Sequence, residues 1–163
     1  MDYRLEPVSI EDGDQIIDIF NYYVENSFAA YPESKVPDEF FGSFLNLTQG
    51  YPFLVAKNMD GKVVGFGSLR PYSLLSTFSG VAEITNFISP EHTGIGIGQQ
   101  ILDSLLDQAK RMGSVTVLAS ISSLNQASLA FHKKNGFVEC GRFVGIGRKM
   151  GKGFDVVWMQ RMV

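Results

Sequence analysis

Cysteine is nearly absent: Cys140 stands alone, so no disulfide can form within the chain. A thiol nucleophile is not indicated either, because no histidine neighbours Cys140; it reads as a small buried residue. Histidine is almost as scarce. His92 and His132 show no metal-ligand spacing with acids or with Cys140, so no metal is expected. Positive charge is not in excess: Lys and Arg total 14 against 17 for Asp and Glu, a net charge of -3. That balance gives no general attraction for nucleic acid or anionic membranes. No apolar run approaches the ~20 residues that span a bilayer. The start, Met1-Asp2-Tyr3-Arg4-Leu5-Glu6, is charged and reads as no signal peptide, so a cytoplasmic location is expected. Repeats, low-complexity tracts and linker-like stretches are missing too. Residues 1–163 are therefore expected to form a single domain.

What is present is a well-punctuated series of elements. Tyr3 to Val8 reads as a first strand. Ser9 with Asp12 resembles a capping box, and Ile16, Ile17, Phe20, Tyr23 and Val24 follow at helical spacing, ending near Asn26. Pro37 can open a second helix with Phe40, Phe41, Phe44 and Leu45 as its apolar face. Strands are expected over Tyr51–Lys57, Lys62–Arg70 and Gly80–Ser89, the first two joined by an Asn58-Met59-Asp60-Gly61 turn. A helix from Gly96 carries Ile97, Ile101, Leu105 and Ala109 on one face and stops at Gly113. Ser114–Ser120 reads as a buried strand, Asn125–Asn135 as a helix, and Phe137–Arg148 with Gly153–Met162 as a closing hairpin. This order predicts an α/β (α+β) architecture: a mixed, mostly antiparallel sheet flanked by helices.

The richest stretch for chemistry is Ile88-Ser89-Pro90-Glu91-His92-Thr93-Gly94-Ile95-Gly96-Ile97-Gly98-Gln99-Gln100. It runs from a strand through a glycine-rich turn into an amphipathic helix. Glycines let a ligand approach the backbone, and a helix start offers unpaired N–H groups that suit a phosphate. The same glycines would also serve a plain tight turn. Neither nucleotide motif fits. The Gly-Lys-Ser/Thr of a Walker A loop is missing, the glycine spacing is G-x-G-x-G rather than G-x-G-x-x-G, and no acid lies between Asp107 and Glu139 to hold a ribose.

Two segments resemble the Gcn5-related N-acetyltransferase (GNAT) superfamily. Thr93-Gly94-Ile95-Gly96-Ile97-Gly98 is similar to its pyrophosphate loop, Gln/Arg-x-x-Gly-x-Gly/Ala, with Thr93 in the first place. Asn125-Gln126-Ala127-Ser128-Leu129-Ala130-Phe131-His132-Lys133-Lys134-Asn135-Gly136-Phe137 resembles its Asn-x-x-Ser/Ala-x-x-Leu-Tyr/His-x-x-x-Gly-Phe segment. Within it, the phosphinothricin acetyltransferase-like subgroup resembles the chain at Asp18–Val24, at Glu83–Ile88, and at Gly147–Asp155, where Phe154 replaces a Trp. Phe78 replaces a Tyr, and Asn86 an apolar residue.

The resemblance implies a GNAT-like acyl-CoA N-acyltransferase fold, acetyl-CoA as co-substrate, a small amine or amino acid as acceptor, and a homodimer. It implies that Phe87, Ile88, Thr93, Gly94, Ile95, Gly96, Ile97, Gly98, Gln99, Asn125 and Ser128 hold the coenzyme. Glu83, on the strand leading into the loop, is the expected general base; a solvated or ion-paired strand residue is the plain alternative. His132 stands where many members carry a Tyr that protonates the thiolate, though it would equally suit a helix surface. Arg70, Tyr72 and Lys149 are candidates for an acceptor carboxylate, or ordinary surface polar groups. Phe28, Tyr31 and Phe78 can wall the acceptor pocket or belong to the core. A protein N-terminal or lysine acetyltransferase, a non-catalytic acetyl-CoA-binding module and a ligand-free interaction domain remain as alternatives.

Overall fold

The computed structural model describes residues 2–163. In chain order the elements are β1 (Arg4–Pro7), α1 (Gly13–Asn26), α2 (Phe41–Leu47), β2 (Phe53–Lys57), β3 (Val63–Pro71), β4 (Val81–Ile88), α3 (Ile97–Arg111), β5 (Thr116–Ser122), α4 (Gln126–Lys134), β6 (Val138–Lys149) and β7 (Lys152–Met162). All seven strands join one sheet in the order β1-β2-β3-β4-β5-β7-β6. Every neighbouring pair is antiparallel except β4 with β5. The expected mixed sheet is what forms.

Each face of the sheet is buried under helices, because strand side chains alternate in direction. One face carries Ala82, Ile84, Val117, Ala119, Ile121, Val157 and Met159 against Ile97, Ile101, Leu102, Leu105 and Ala109 of α3. The other carries Phe53, Val55 and Phe66 against Ile16, Ile17, Phe20 and Val24 of α1 and Phe41 of α2. That second core is aromatic: Phe20, Phe40, Phe44, Phe66 and Phe87 meet edge-on, stacked or tilted at 5.2–6.3 Å between ring centroids. Such pairs add to the burial of large apolar rings.

Where element ends differ from expectation, local chemistry explains it. The first helix opens as a 3-10 turn at Ile10–Asp12 before α1 begins. Asp12 accepts the Ser9 N–H at 2.9 Å, the reciprocal half of the capping box, and also pairs with Lys57 at 2.9 Å. Pro37 likewise precedes a 3-10 turn, Asp38–Phe40. The strand expected from Tyr51 starts at Phe53, because Pro52 has no N–H to give. The strand expected from Ser114 starts at Thr116, since the Ser114 N–H still caps α3 by bonding the Ala109 carbonyl at 3.0 Å.

One correction concerns Cys140. It is exposed, not buried, because β6 is the outer strand of the sheet and its residues up to Ile146 face solvent. Phe78 is also not core: it lies 39% exposed in the β3–β4 connection, edge-on to Tyr72 at 5.6 Å.

Candidate active site

The glycine turn is a bare cradle of backbone donors. Gly94 (φ +75) and Gly96 (φ +96) are left-handed, a conformation that glycine adopts without steric cost. They bring the chain from β4 to the start of α3 within a few residues. The first helical hydrogen bond is Gln100 N–H to Gly96 C=O at 3.1 Å, and the N–H groups of residues 94–99 find no acceptor in the described residues. Those groups sit at the positive end of α3, which suits a diphosphate. A Cβ on Gly94 would meet nothing within 4 Å, so the turn opens outward rather than packing on the protein.

Beside the cradle the sheet parts. β4 and β5 pair only at Val81–Glu83 with Thr116–Leu118. β4 continues to Ile88 and β5 to Ser122, each still bonded along its other edge, to β3 and β7. Their inner edges beyond Glu83 and Leu118 are therefore unpaired, and an extended amide-bearing chain can use them. Asn86 ties the two features together: its Nδ2 donates to the Gly98 carbonyl at 3.1 Å, while its Oδ1 is buried without a partner. On the far side Asn125 caps α4, its Oδ1 accepting from Ser128 N–H at 3.2 Å.

The expected coenzyme residues differ in what they can offer. Gly94, Gly96 and Gly98 offer backbone, while Ile95 is 42% exposed and Ile97 is buried in the core. Thr93 turns its hydroxyl to the Pro90 carbonyl at 3.2 Å, and Gln99 bonds Asn135 at 2.7 Å and Asp103 at 2.9 Å. The Phe87 ring belongs to the aromatic core, and the Ile88 carbonyl accepts from the Tyr23 hydroxyl. Phe87 and Ile88 offer a ligand no polar side-chain group, and the Gln99 amide nitrogen is already engaged.

Glu83 lies at the apex of the parting, as the last β4 residue paired with β5. It faces away from Ala82 and Ile84, on the α1 side of the sheet, opposite Arg70 in the β3–β4 register. The Arg70 Nε donates to Glu83 Oε2 at 2.6 Å. The Arg70 side chain is 40% exposed and that of Glu83 13%. The two terminal nitrogens of Arg70 have no partner among the described residues. Tyr72 follows at the mouth, half exposed.

Aromatic side chains stand on the same face of the sheet as this acid, further along β7. Phe28 and Tyr31, in the segment after α1, both rest on Phe154 of β7, at 6.1 and 5.7 Å between centroids, with Tyr31 stacked at 16°. Burial raises the Tyr31 hydroxyl above the ordinary tyrosine value, with the Ser120 hydroxyl pulling the other way. Ser120 lies two residues beyond Leu118, the strand partner of Glu83. Trp158 is the register partner of Ser120 and shares its face. Ser120 and Trp158 were not singled out by sequence. Two-residue alternation along β5 and β7 was the available signal.

Lys149 is not at the cleft surface. It is 2% exposed, and its Nζ donates to the Ser27 carbonyl at 2.8 Å and the Ala30 carbonyl at 2.6 Å. With those two bonds made inside the protein, it is not placed to hold an acceptor carboxylate.

His132 is also buried, edge-on to Phe137 at 5.0 Å and Phe131 at 5.4 Å. Its Nδ1 lies 2.8 Å from the Ser128 carbonyl and 3.3 Å from the Ser128 hydroxyl. A carbonyl only accepts, so this contact assigns the ring proton to Nδ1 and leaves Nε2 bare in the neutral form. Burial pushes the imidazole below its ordinary pKa, so the neutral form prevails at neutral pH, with no second proton to give a thiolate. His92 packs edge-on to Tyr3 at 5.9 Å, away from this chemistry.

A bare diphosphate cradle, two unpaired strand edges, and a carboxylate at their apex together fit an extended nucleotide thioester. The sequence matches the Acetyltransferase (GNAT) family over residues 16–137. The chain belongs to that family. It is 30% identical to an L-methionine sulfoximine/L-methionine sulfone acetyltransferase of Pseudomonas aeruginosa, over 98% of this chain and 94% of that one. It is 33% identical to the L-amino acid N-acyltransferase MnaT of Escherichia coli, over 89% of this chain and 85% of that one. Among solved structures, a GNAT superfamily phosphinothricin acetyltransferase from Sinorhizobium meliloti in complex with AcCoA superposes with a TM-score of 0.93 at 28% identity, covering 100% of this chain and 89% of that one. The GNAT fold and acetyltransferase class expected from sequence are thereby established. Among the described residues no helix is long and apolar enough to cross a membrane, and no three His, Cys, Asp or Glu side chains cluster to hold a metal.

Proposed function

We propose that this acetyltransferase moves the acetyl group of acetyl-CoA to the α-amine of a small amino acid. The observation that carries the reading is the division of labour on Arg70. Its Nε holds Glu83, while its two terminal nitrogens are free. An acceptor carboxylate on that free fork stands beside the base, and one carbon further on is the amine. A lysine side chain carries no carboxylate next to its amine, and neither does the N-terminus of a protein, so the same fork discriminates against protein acceptors.

In the proposed step the neutral amine attacks the thioester carbonyl carbon. The C–N bond forms, the C–S bond breaks, and the amine proton passes to Glu83, directly or through water. The coenzyme thiolate leaves and takes a proton from solvent. Main-chain N–H groups of the cradle hold the diphosphate, the unpaired edges of β4 and β5 align the extended arm, and Asn125 and Ser128 border it. Positioning then supplies much of the rate. Phe28, Tyr31, Phe154 and Trp158 wall the acceptor side chain. His132 serves packing in α4 rather than proton transfer. We also propose a cytoplasmic homodimer joined through β6, the outer strand, whose Val138, Phe143, Val144 and Ile146 are 67%, 54%, 80% and 62% exposed.

The test is a matched pair of acceptors compared by kcat/KM per neutral amine: an amino acid and its decarboxylated amine. The relatives' named acceptors, methionine sulfoximine, methionine sulfone and phosphinothricin, make the first panel. A charge-assisted bond of about 1.5–3 kcal/mol predicts a preference of roughly 10- to 100-fold for the carboxylate. Equal use of the two amines sinks the α-amino acid reading.

A further inference from the structure

Lys149 closes β6, where the hairpin turns through Met150 (φ +52) and Gly151 (φ +73) into β7. Its side chain runs inward to the carbonyls of Ser27 and Ala30, and no carboxylate is among its hydrogen-bonding or ion-pair partners. Glu33 acts on the ammonium only through space, without a hydrogen bond; burying it is still costly, and an apolar side chain of similar length would avoid that cost. What the ammonium supplies is a fixed point. Ser27 caps α1, whose last carbonyls carry the negative end of the helix. One nitrogen accepted by carbonyls three residues apart fixes the turn between them.

A second clamp closes the same segment. The Asn21 side chain donates to the Val36 carbonyl at 2.9 Å and accepts the Val36 N–H at 2.8 Å. Between the clamps lie Phe28 and Tyr31, the two rings that rest on Phe154. The segment has little regular hydrogen bonding of its own: residues 28–36 contain no helix or strand. Its shape therefore depends on its two anchors.

We infer that Lys149 is the positioning residue of the acceptor wall: by holding Ser27 and Ala30 it sets where Phe28 and Tyr31 stand against Phe154, on the face of the sheet that carries Glu83. This rests on the reading of that cleft as the acceptor site. The lysine comes from the far end of the chain, so the hairpin that carries Phe154 also fixes the rings that meet it.

The experiment compares wild type, Lys149→Met, Tyr31→Ala and the double variant. Lys149→Arg is included as a folded control that keeps charge but brings a planar fork to a site built for an ammonium. Two readouts are taken. Hydrogen exchange of the amides of residues 28–35 should quicken at least about tenfold in Lys149→Met, with the amides of α3 and α4 unchanged. The acceptor KM should rise about tenfold or more, with the acetyl-CoA Kd by calorimetry within about twofold of wild type, and the lysine effect should largely vanish in the Tyr31→Ala background. Lys149→Arg should shift both readouts in the same direction by less. Unchanged exchange in residues 28–35, equal losses for acceptor and coenzyme, or full additivity with Tyr31→Ala overturns the proposal. A wild-type enzyme that acetylates no amino acid instead refutes the functional reading, and the exchange data then decide alone whether Lys149 orders the wall.

Discussion

Arg70 and Glu83 face each other as a directly opposed pair of the β3–β4 ladder, with Nε and Oε2 2.6 Å apart. The pair fixes the carboxylate on the strand that leads into the glycine turn, and leaves its second oxygen for the proposed acceptor amine. Replacing Glu83 by Gln keeps an acceptor for Arg70 but removes the base. The expected result is a fall in kcat of about 10²–10⁴-fold. Coenzyme affinity by calorimetry should stay as in wild type. The loss should shrink at high pH, where more of the acceptor is already neutral; an unaltered pH–rate profile removes Glu83 from proton transfer.

Gly96→Glu tests the cradle. A side chain at φ +96 is strained, and the new carboxylate brings negative charge to the proposed diphosphate cradle. Coenzyme affinity should drop by at least about tenfold, as about 1.4 kcal/mol of lost interaction requires. Unchanged affinity in a titration of the folded variant places the diphosphate elsewhere.

His132 should make stability depend on pH. Burial lowers its folded pKa below the unfolded value of about 6.5, so on acidification the unfolded chain takes the proton first. Its contribution is complete above the unfolded pKa and is lost as pH falls from there toward the folded value. Urea unfolding of wild type should show stability falling from pH 7 to pH 5, and His132→Gln should flatten that slope. The lowered carboxyls of Glu6, Glu11, Glu91 and Asp155 titrate below this window. A slope unchanged by the substitution contradicts the assignment.

Gly147→Ala tests the floor of the acceptor wall. Gly147 lies opposite Phe154 in the β6–β7 register, and a Cβ there would collide with the Phe154 ring. Overpacking of this kind costs about 1–3 kcal/mol. The ring must shift, and Phe28 and Tyr31 rest on it, so acceptor KM should rise alongside the fall in denaturation midpoint. A midpoint and KM equal to wild type would mean the hairpin absorbs the methyl elsewhere.

The parts of this site that could be read from sequence are those made by neighbours in the chain. Gly94 to Gly98 and the cap at Asn125 declare themselves within a few residues, because a left-handed turn and an N-cap are local requirements. Glu83 was legible as a candidate, but its pairing with Arg70 depends on hairpin register. Lys149 was legible as a candidate but not in its place: its acceptors lie 122 and 119 residues away, and nothing in Arg148-Lys149-Met150 distinguishes a buried lysine from a surface one. Cys140 misled for the same reason. A lone cysteine ordinarily packs as a small buried residue, and only the place of β6 at the edge of the sheet turns this one to solvent.

An open sheet ordinarily has two rims, here β1 and β6. The short β4–β5 ladder gives this one four, since both strands run on unbonded to each other beyond Glu83 and Leu118. Bare strand edges recruit other extended chains, including those of misfolded neighbours. In the proposed binding mode the coenzyme arm is thus also a plug. The unliganded enzyme carries a seam open to foreign β-structure, and aggregation on storage should start from that form and slow when coenzyme A is added.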